Sequence, residues 1–133
     1  MVMFLLQMYA APVDVHGAIT PSFTSVTGAG NPLNGFQAGG SSTPAFGDLD
    51  GDGDLDMIAG RGSGIFHYFE NTGDVNSPSY TEHTDNLNPF QNMDAGDYSA
   101  PAFADLDGDG DLDMLSGENN STLYFENTGD VNS

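Results

Sequence analysis

The chain has 133 residues and 20 acidic side chains against one basic side chain, so its formal charge at pH 7 is −19. Binding to nucleic acid or to an anionic membrane surface requires clustered Lys and Arg, and this sequence has only Arg61. The absence of Cys excludes disulfides and thiolate metal sites. With nine Phe and five Tyr, the chain has enough apolar surface for about one small globular domain.

Residues 1–20 precede the repeated part of the sequence. Residues 1–11 are apolar and end in small residues, but they lack the basic region of a secretory leader. Residues 2–9 are consistent with a buried strand that belongs to a preceding unit. We expect the remnant of a preceding blade here and keep a weak leader as the alternative. No stretch approaches the ~20 apolar residues that cross a bilayer, so no membrane insertion is expected.

The sequence from Pro21 repeats itself from Pro78, an offset of 57 residues that holds without a gap as far as Gly60 and Gly117. One residue is then missing from the second copy, and both copies end in the identical string FENTGDVNS. Two units, 21–77 and 78–133, therefore make up the rest of the chain. A repeat of this length is typical of proteins built from stacked supersecondary units.

Each unit contains four short apolar or aromatic runs separated by turns rich in Gly, Pro and Asn, without helical periodicity. The runs predict strands at 22–27, 43–48, 56–60 and 65–70, and at 79–84, 100–105, 113–117 and 122–126. Four strands per repeat are typical of a β-propeller blade. We therefore predict an all-β fold with two four-stranded blades and part of a preceding one.

Each unit also carries a nine-residue tract with an aspartate at every second position. These residues are Asp48, Asp50, Asp52, Asp54 and Asp56 in the first tract and Asp105, Asp107, Asp109, Asp111 and Asp113 in the second. Clustered carboxylates on a glycine-containing loop supply the ~6–8 oxygen ligands that Ca²⁺ accepts, whereas Mg²⁺ prefers strict octahedral geometry and softer metals prefer His or Cys. We expect one Ca²⁺ per repeat, two in all. The alternative is a solvated acidic turn, which the identical spacing in both units disfavours.

The spacing distinguishes this tract from an EF-hand loop. An EF-hand that starts at Asp48 needs a bidentate Glu at its twelfth position, where Ala59 stands, and Ser116 stands there in the second unit. In a nine-residue loop, the first three aspartates provide side-chain oxygens, the fourth its backbone carbonyl, and the fifth completes the coordination.

The pattern PAFxDLDGDGDLDM, followed by an aromatic strand and FENTG, resembles the FG-GAP / VCBS-type repeat, the blade of integrin-α-like β-propellers. The resemblance covers residues 21–133 in two copies. It implies a four-stranded blade with Ca²⁺ bound in the hairpin between its first two strands, held by the aspartates named above. Two copies are fewer than a closed propeller requires. We therefore expect a fragment of a longer protein, or, as the alternative, self-association of several copies that completes a propeller.

The resemblance implies a non-catalytic, calcium-binding module of a secreted or cell-surface protein, acting in adhesion or in binding a protein or glycan ligand. One alternative is a lectin-like carbohydrate-binding module, and another is the non-catalytic remnant of a polysaccharide-degrading enzyme. No nucleophile–base pair or acid pair is visible outside the aspartate tracts, so no enzymatic activity is expected.

The histidines are scattered at His16, His67 and His83. His67 aligns with Leu123 of the second unit, so we expect it on a packed strand face and not in a metal site. Glu70 and its copy precede Asn-Thr-Gly turns and are expected to cap or hydrate the end of a strand.

Overall fold

The computed structural model describes residues 21–37 and 39–129. Within these ranges the chain forms seven strands and one short 3₁₀ turn, Gly28–Gly30. The same ranges contain no helix long and apolar enough to span a membrane. The predicted all-β class is confirmed, whereas the strand or leader predicted before residue 21, and His16 with it, lie outside the described residues.

The first sheet has four antiparallel strands in the order β1-β2-β3-β4. They are β1 (Thr43–Gly47), β2 (Asp56–Gly60), β3 (Phe66–Asn71) and β4 (Tyr80–His83). Every residue of β2 is buried, which explains why this strand is a short run of apolar and small residues after its first aspartate. The first aspartate tract forms the loop between β1 and β2.

The second sheet has three antiparallel strands in the order β5-β6-β7. They are β5 (Ala100–Ala104), β6 (Asp113–Gly117) and β7 (Thr122–Phe125). In each sheet, the strand that follows the aspartate tract starts at the last aspartate of the tract. This aspartate pairs with the final residue of the strand that precedes the loop. The two aspartate tracts are therefore held between equivalent strand ends, as the repeat predicts.

The main hydrophobic core lies between the two sheets. Ile58 and Tyr68 of the first sheet and Met114 of the second belong to one buried cluster. Phe90, from the connection between β4 and β5, joins them: its ring centroid lies 6.0 Å from that of Tyr68 and 6.2 Å from that of Phe103. Neither sheet covers its own apolar face, so the two are stable only when packed together.

A buried serine joins the backbones of the two sheets. The Ser99 N–H donates to the Arg61 carbonyl at 3.1 Å, and the Ser99 hydroxyl accepts from the Arg61 N–H at 2.8 Å. The Thr43 hydroxyl donates to the Ser99 carbonyl at 2.6 Å. Gly60 lies against this junction, where a Cβ would come 2.3 Å from the Ser99 carbonyl oxygen. Only glycine therefore fits at this end of β2.

The boundaries of the sheets do not coincide with the boundaries of the sequence repeats. β4 lies in the unit 78–133, yet it pairs with β3 of the unit 21–77, with Tyr80 opposite Asn71. The two strands are joined by a short turn in which the Thr72 N–H donates to the Ser79 carbonyl at 2.9 Å, so they pair as a hairpin. The predicted strand at 22–27, the copy of β4, is not formed, and within the described part of the chain the second sheet has three strands where four were predicted.

Candidate metal centre

Three carboxylates converge in the loop between β1 and β2. Side-chain oxygens of Asp48, Asp50 and Asp52 all lie within 4.8 Å of one another. The backbone N–H groups of Gly51 and Gly53 donate to the two oxygens of Asp48 at 2.9 and 3.1 Å. These glycines have φ angles of 80° and 94°, a left-handed conformation that side chains disfavour. The loop therefore brings together the three aspartates predicted to provide side-chain oxygens.

Asp54 adds a carboxylate that is almost completely buried. Its side chain belongs to a residue only 6% exposed, and its Oδ1 accepts no hydrogen bond from the described residues. A buried carboxylate oxygen without a donor is costly unless a cation lies beside it. The sequence predicted a role only for the backbone carbonyl of Asp54. The spacing of the aspartates in the tract does not indicate that the Asp54 side chain is buried.

Asp56, at the start of β2, binds protein donors with both oxygens. Its Oδ1 accepts the Asn71 N–H at 2.8 Å, and its Oδ2 accepts the Leu49 N–H at 3.1 Å and the Tyr68 hydroxyl at 3.2 Å. Asp56 thus ties the loop to the end of β3. Because a carboxylate oxygen has two lone pairs, Oδ1 retains one for a further ligand. Its place as the closing metal ligand stays a prediction.

The second loop reproduces this arrangement. The carboxylates that lie within 4.8 Å of one another are those of Asp105, Asp107 and Asp109. Asp111 is 7% exposed and its Oδ1 also lacks a hydrogen-bond donor among the described residues. Asp113 accepts the Leu106 N–H at 3.0 Å and the Asn127 N–H at 2.9 Å, as Asp56 does with its own neighbours.

The donor set of both loops fits a hard divalent cation. All the converging side-chain donors are carboxylate oxygens, which Ca²⁺ prefers over the nitrogen and sulfur ligands of softer metals. Negative charges this close repel one another, and the repulsion grows as the local dielectric falls. The two orphaned buried oxygens are at equivalent positions of the two loops, where a cation would partner them.

Burial changes the acidity of these carboxyls. It is the main reason why the pKa is raised at Asp50, Asp54 and Asp56. At Asp111, burial and then the neighbouring Asp109 raise the pKa to about 6. Asp113 differs, because the hydrogen bond from the Asn127 N–H lowers its pKa. Most of the tract carboxyls with shifted pKa therefore resist ionisation in the folded chain when no cation is bound.

Without calcium, we expect the thermal midpoint to rise as the pH is lowered from about 7 to about 5. A carboxyl whose pKa is raised by folding binds its proton at a higher pH in the folded than in the unfolded chain, so protonation favours the folded state. This gain is complete near pH ~4, the ordinary Asp pKa, below which the lowered pKa of Asp113 acts in the opposite direction. Calorimetry of the wild type and Asp111→Asn checks this: the variant should show a smaller rise, and a wild-type midpoint that fell over this interval would contradict it.

Two tyrosines that contact the first loop were missed by sequence reasoning. The Tyr68 hydroxyl donates to Asp56, and burial, followed by the charge of Asp56, raises the pKa of Tyr68. The Tyr80 hydroxyl donates to the Leu55 carbonyl at 2.9 Å. Both tyrosines are on strands distant in sequence from the tract, so no local pattern could have indicated these contacts.

Two histidine–glutamate pairs join β3 to β4. His67 Nδ1 lies 2.6 Å from Glu82 Oε1, and His83 Nε2 lies 2.6 Å from Glu70 Oε2. Arg61 Nη1 lies 3.0 Å from His67 Nε2. His67 is half-buried on β3, in agreement with the packed position expected for it. Glu70 pairs with a histidine of the neighbouring strand, instead of capping or hydrating the strand end as predicted.

Comparison with known proteins identifies the repeat. The model of the FG-GAP-like repeat matches residues 48–116, more than half of the chain, from the start of the first aspartate tract into β6. Neither the curated proteins nor the solved structures contain a significant match. The matched segment includes both loops, and the two antiparallel sheets are consistent with propeller blades. The chain therefore belongs to the FG-GAP-like repeat family.

Proposed function

We propose that this β-propeller-type module binds calcium, has no catalytic role, and acts in adhesion or ligand binding within a secreted or cell-surface protein. The observation that carries the proposal is the pair of equivalent loops. Each has three converging carboxylates and a buried carboxylate oxygen without a donor. The residues that would hold the ions are Asp48, Asp50, Asp52, Asp54 and Asp56 in one loop and Asp105, Asp107, Asp109, Asp111 and Asp113 in the other.

Calcium would act as a folding ligand. When bound, it supplies positive charge that offsets the mutual repulsion of the carboxylates, so binding free energy becomes folding free energy. The loops connect β1 to β2 and β5 to β6, and they start at strand ends that pair with one another. Ordering of each loop therefore favours the pairing of the strands on either side of it.

The extracellular setting and the non-catalytic role are supported by charge and by side-chain contacts. Calcium modules outside the cell have dissociation constants of about 10⁻⁴–10⁻³ M, which suits exposed loops such as these. The histidines of β3 and β4 are engaged with glutamates across the strand pair. The net charge of −19 argues against nucleic acid, so the proposed partner is a protein or a glycan. A glycan array read with and without calcium distinguishes a glycan partner, which would give calcium-dependent binding on the array, from a protein partner, which would give none.

Calcium is expected to raise the thermal midpoint of the protein. At a free concentration about 100 times the dissociation constant, each filled site stabilises the folded state by about 2.7 kcal/mol. Circular dichroism melts with CaCl₂, with an equal concentration of MgCl₂, and with EGTA measure this effect. The midpoint should be highest in CaCl₂ and lowest in EGTA.

Alanine variants of one ligand per loop provide the matched test. Asp50→Ala and Asp107→Ala remove equivalent exposed carboxylates, so each should lose about half of the calcium-dependent gain, and the double variant nearly all of it. An identical midpoint in CaCl₂ and EGTA would count against the proposal. So would a double variant that responds to calcium like the wild type.

A further inference from the structure

The outer edge of the second sheet is uncovered in the described part of the chain. Among residues 21–37 and 39–129, β7 pairs only with β6, whereas its equivalent in the first sheet, β3, pairs with both β2 and β4. Tyr124 of β7 is 47% exposed, but its equivalent Tyr68 is 4% exposed. A strand edge with free N–H and C=O groups and a partly exposed aromatic face is a template for another strand.

A segment of this chain has the sequence that such an edge accepts. Residues 21–27, PSFTSVT, are the copy of residues 78–84, PSYTEHT, which contain β4. β4 pairs with β3, and Tyr80 packs against the cluster of Met57 and Phe69. Residues 21–27, in contrast, form no strand and are all exposed, and Phe23 is 92% exposed.

We propose that residues 22–27 of one copy of this chain pair with β7 of a second copy and complete its sheet as a fourth strand. The pairing of β3 with β4 sets the expected register. Asn127 would lie opposite Phe23 of the second copy, because Asn71 lies opposite Tyr80, and Tyr124 would lie opposite Val26, because Tyr68 lies opposite His83. Phe23 would then contact the half-buried Phe125 beside the buried Met114, the equivalents of the residues that Tyr80 contacts.

One of the two histidine–glutamate pairs is replaced by uncharged side chains on both strands, whereas in the other Val26 replaces His83 and Glu126 keeps the place of Glu70. Where β3 and β4 carry the pair His67 and Glu82, β7 and the donor segment carry Leu123 and Ser25. Both members become uncharged, so the pairing leaves no charged group without its partner at this position. The donor segment as a whole has no ionisable side chain. The segment itself therefore adds no like charge at the contact, although each copy carries a net charge of −19.

The pairing is heterologous, since each copy donates one strand and accepts another at a different place. Such contacts produce rings when the rotation between copies closes, and filaments when it does not. The inference rests on strand pairing and repeat equivalence, and it does not require calcium in the loops. Measuring association in both CaCl₂ and EGTA separates it from the proposed function, which is tested by the melts.

Light scattering after size exclusion, over about a hundredfold range of concentration, tests the proposal. The wild type should associate reversibly into species whose mass is a multiple of 13.9 kDa. Beside the β3–β4 pair, the Ser79 carbonyl accepts the Thr72 N–H, and hydrogen-bonded pairs recur at every second residue of an antiparallel strand. Thr81, two residues after Ser79, is therefore at a hydrogen-bonded position. Its copy Thr24 should likewise donate its N–H to β7. Thr24→Pro removes that donor in a segment that makes no strand in the monomer, and it should leave a monomer with an unchanged circular dichroism spectrum.

Two further variants sharpen the test. Phe23→Tyr restores the hydroxyl with which Tyr80 binds the Leu55 carbonyl, and it should tighten association about fivefold through the equivalent Leu112 carbonyl. Phe23→Ser should weaken association, whereas Val75→Ser, at an exposed apolar residue in a turn, should leave it unchanged. A wild type that is monomeric at every concentration overturns the proposal. Equal association of the wild type, Thr24→Pro and Phe23→Ser overturns it as well.

Discussion

Asp56→Ala is expected to destabilise the protein both with and without calcium. The substitution leaves the Asn71 and Leu49 N–H groups and the Tyr68 hydroxyl without their acceptor. Each unsatisfied buried donor costs about 1–3 kcal/mol of folding free energy. Removing the carboxylate also removes the cost of burying its charge, which offsets part of this loss. We therefore expect a net loss of about 3 kcal/mol. Urea unfolding followed by circular dichroism, in CaCl₂ and in EGTA, measures it.

Asp50→Ala is the matched control for that effect. Asp50 lies in the same loop but is exposed, and from the described residues it accepts one hydrogen bond, from the Asp52 N–H at 3.1 Å. Its loss should lower stability in CaCl₂ and raise it slightly in EGTA, because the ionised carboxylate is unfavourable in the folded loop when no cation is bound. If Asp56→Ala behaved like Asp50→Ala in EGTA, the carboxylate of Asp56 would have no structural role apart from metal binding. The contrast between the two variants therefore distinguishes the structural role of Asp56, which hydrogen-bonds to β3, from the metal-binding role proposed for Asp50.

Gly60→Ala is expected to cost about 3 kcal/mol, since overpacking against a fixed backbone has costs of this order. The added Cβ would lie 2.3 Å from the Ser99 carbonyl oxygen and 2.8 Å from the Ser99 hydroxyl. Ser99 cannot move away freely, because it is bonded to Arg61 and Thr43 of the first sheet. A thermal midpoint about 10 °C below that of the wild type is the corresponding result. Differential scanning calorimetry in CaCl₂ measures it.

Gly117→Ala is the internal control for Gly60→Ala. Gly117 occupies the same repeat position at the end of β6, but a Cβ there would meet only the Ala100 side chain, at 3.7 Å. This is an ordinary van der Waals contact, so the midpoint should change by no more than a few degrees. Equal losses for the two variants would show that the cost comes from the strand position and not from the sheet junction.

Each unit of the repeat serves as an internal reference for the other. Equivalent residues have similar local sequences and lie on equivalent strands. A difference in burial or in the effect of a substitution between them therefore comes from the tertiary environment. Phe69 is fully buried under Leu33 and Phe36, whereas Phe125, which packs against the core between the sheets, is only half-buried. The two units are therefore alike in chemistry but unequal in burial. The same inequality is what makes the second sheet a site for an incoming strand.

Local sequence determined much of this protein. The strands flanking both aspartate tracts were predicted within about one residue of where they lie, as expected when Gly, Asn and Pro mark every turn. Spacing of the tract placed Asp48, Asp50 and Asp52 together, because aspartates at alternate positions with left-handed glycines between them form a closed loop. Repetition of the whole pattern indicated the family before any fold was known.

Tertiary structure alone decided which strands pair and what the buried polar groups bind. β4 belongs to the sheet of the preceding unit, and two of the three hydrogen bonds of Asp56 come from β3, distant in sequence. Ser99 joins the sheets across 38 residues to Arg61. Periodicity and turn chemistry report the conformation of a few consecutive residues. Strand partners, burial and hydrogen-bond acceptors depend instead on contacts made only once the chain has folded.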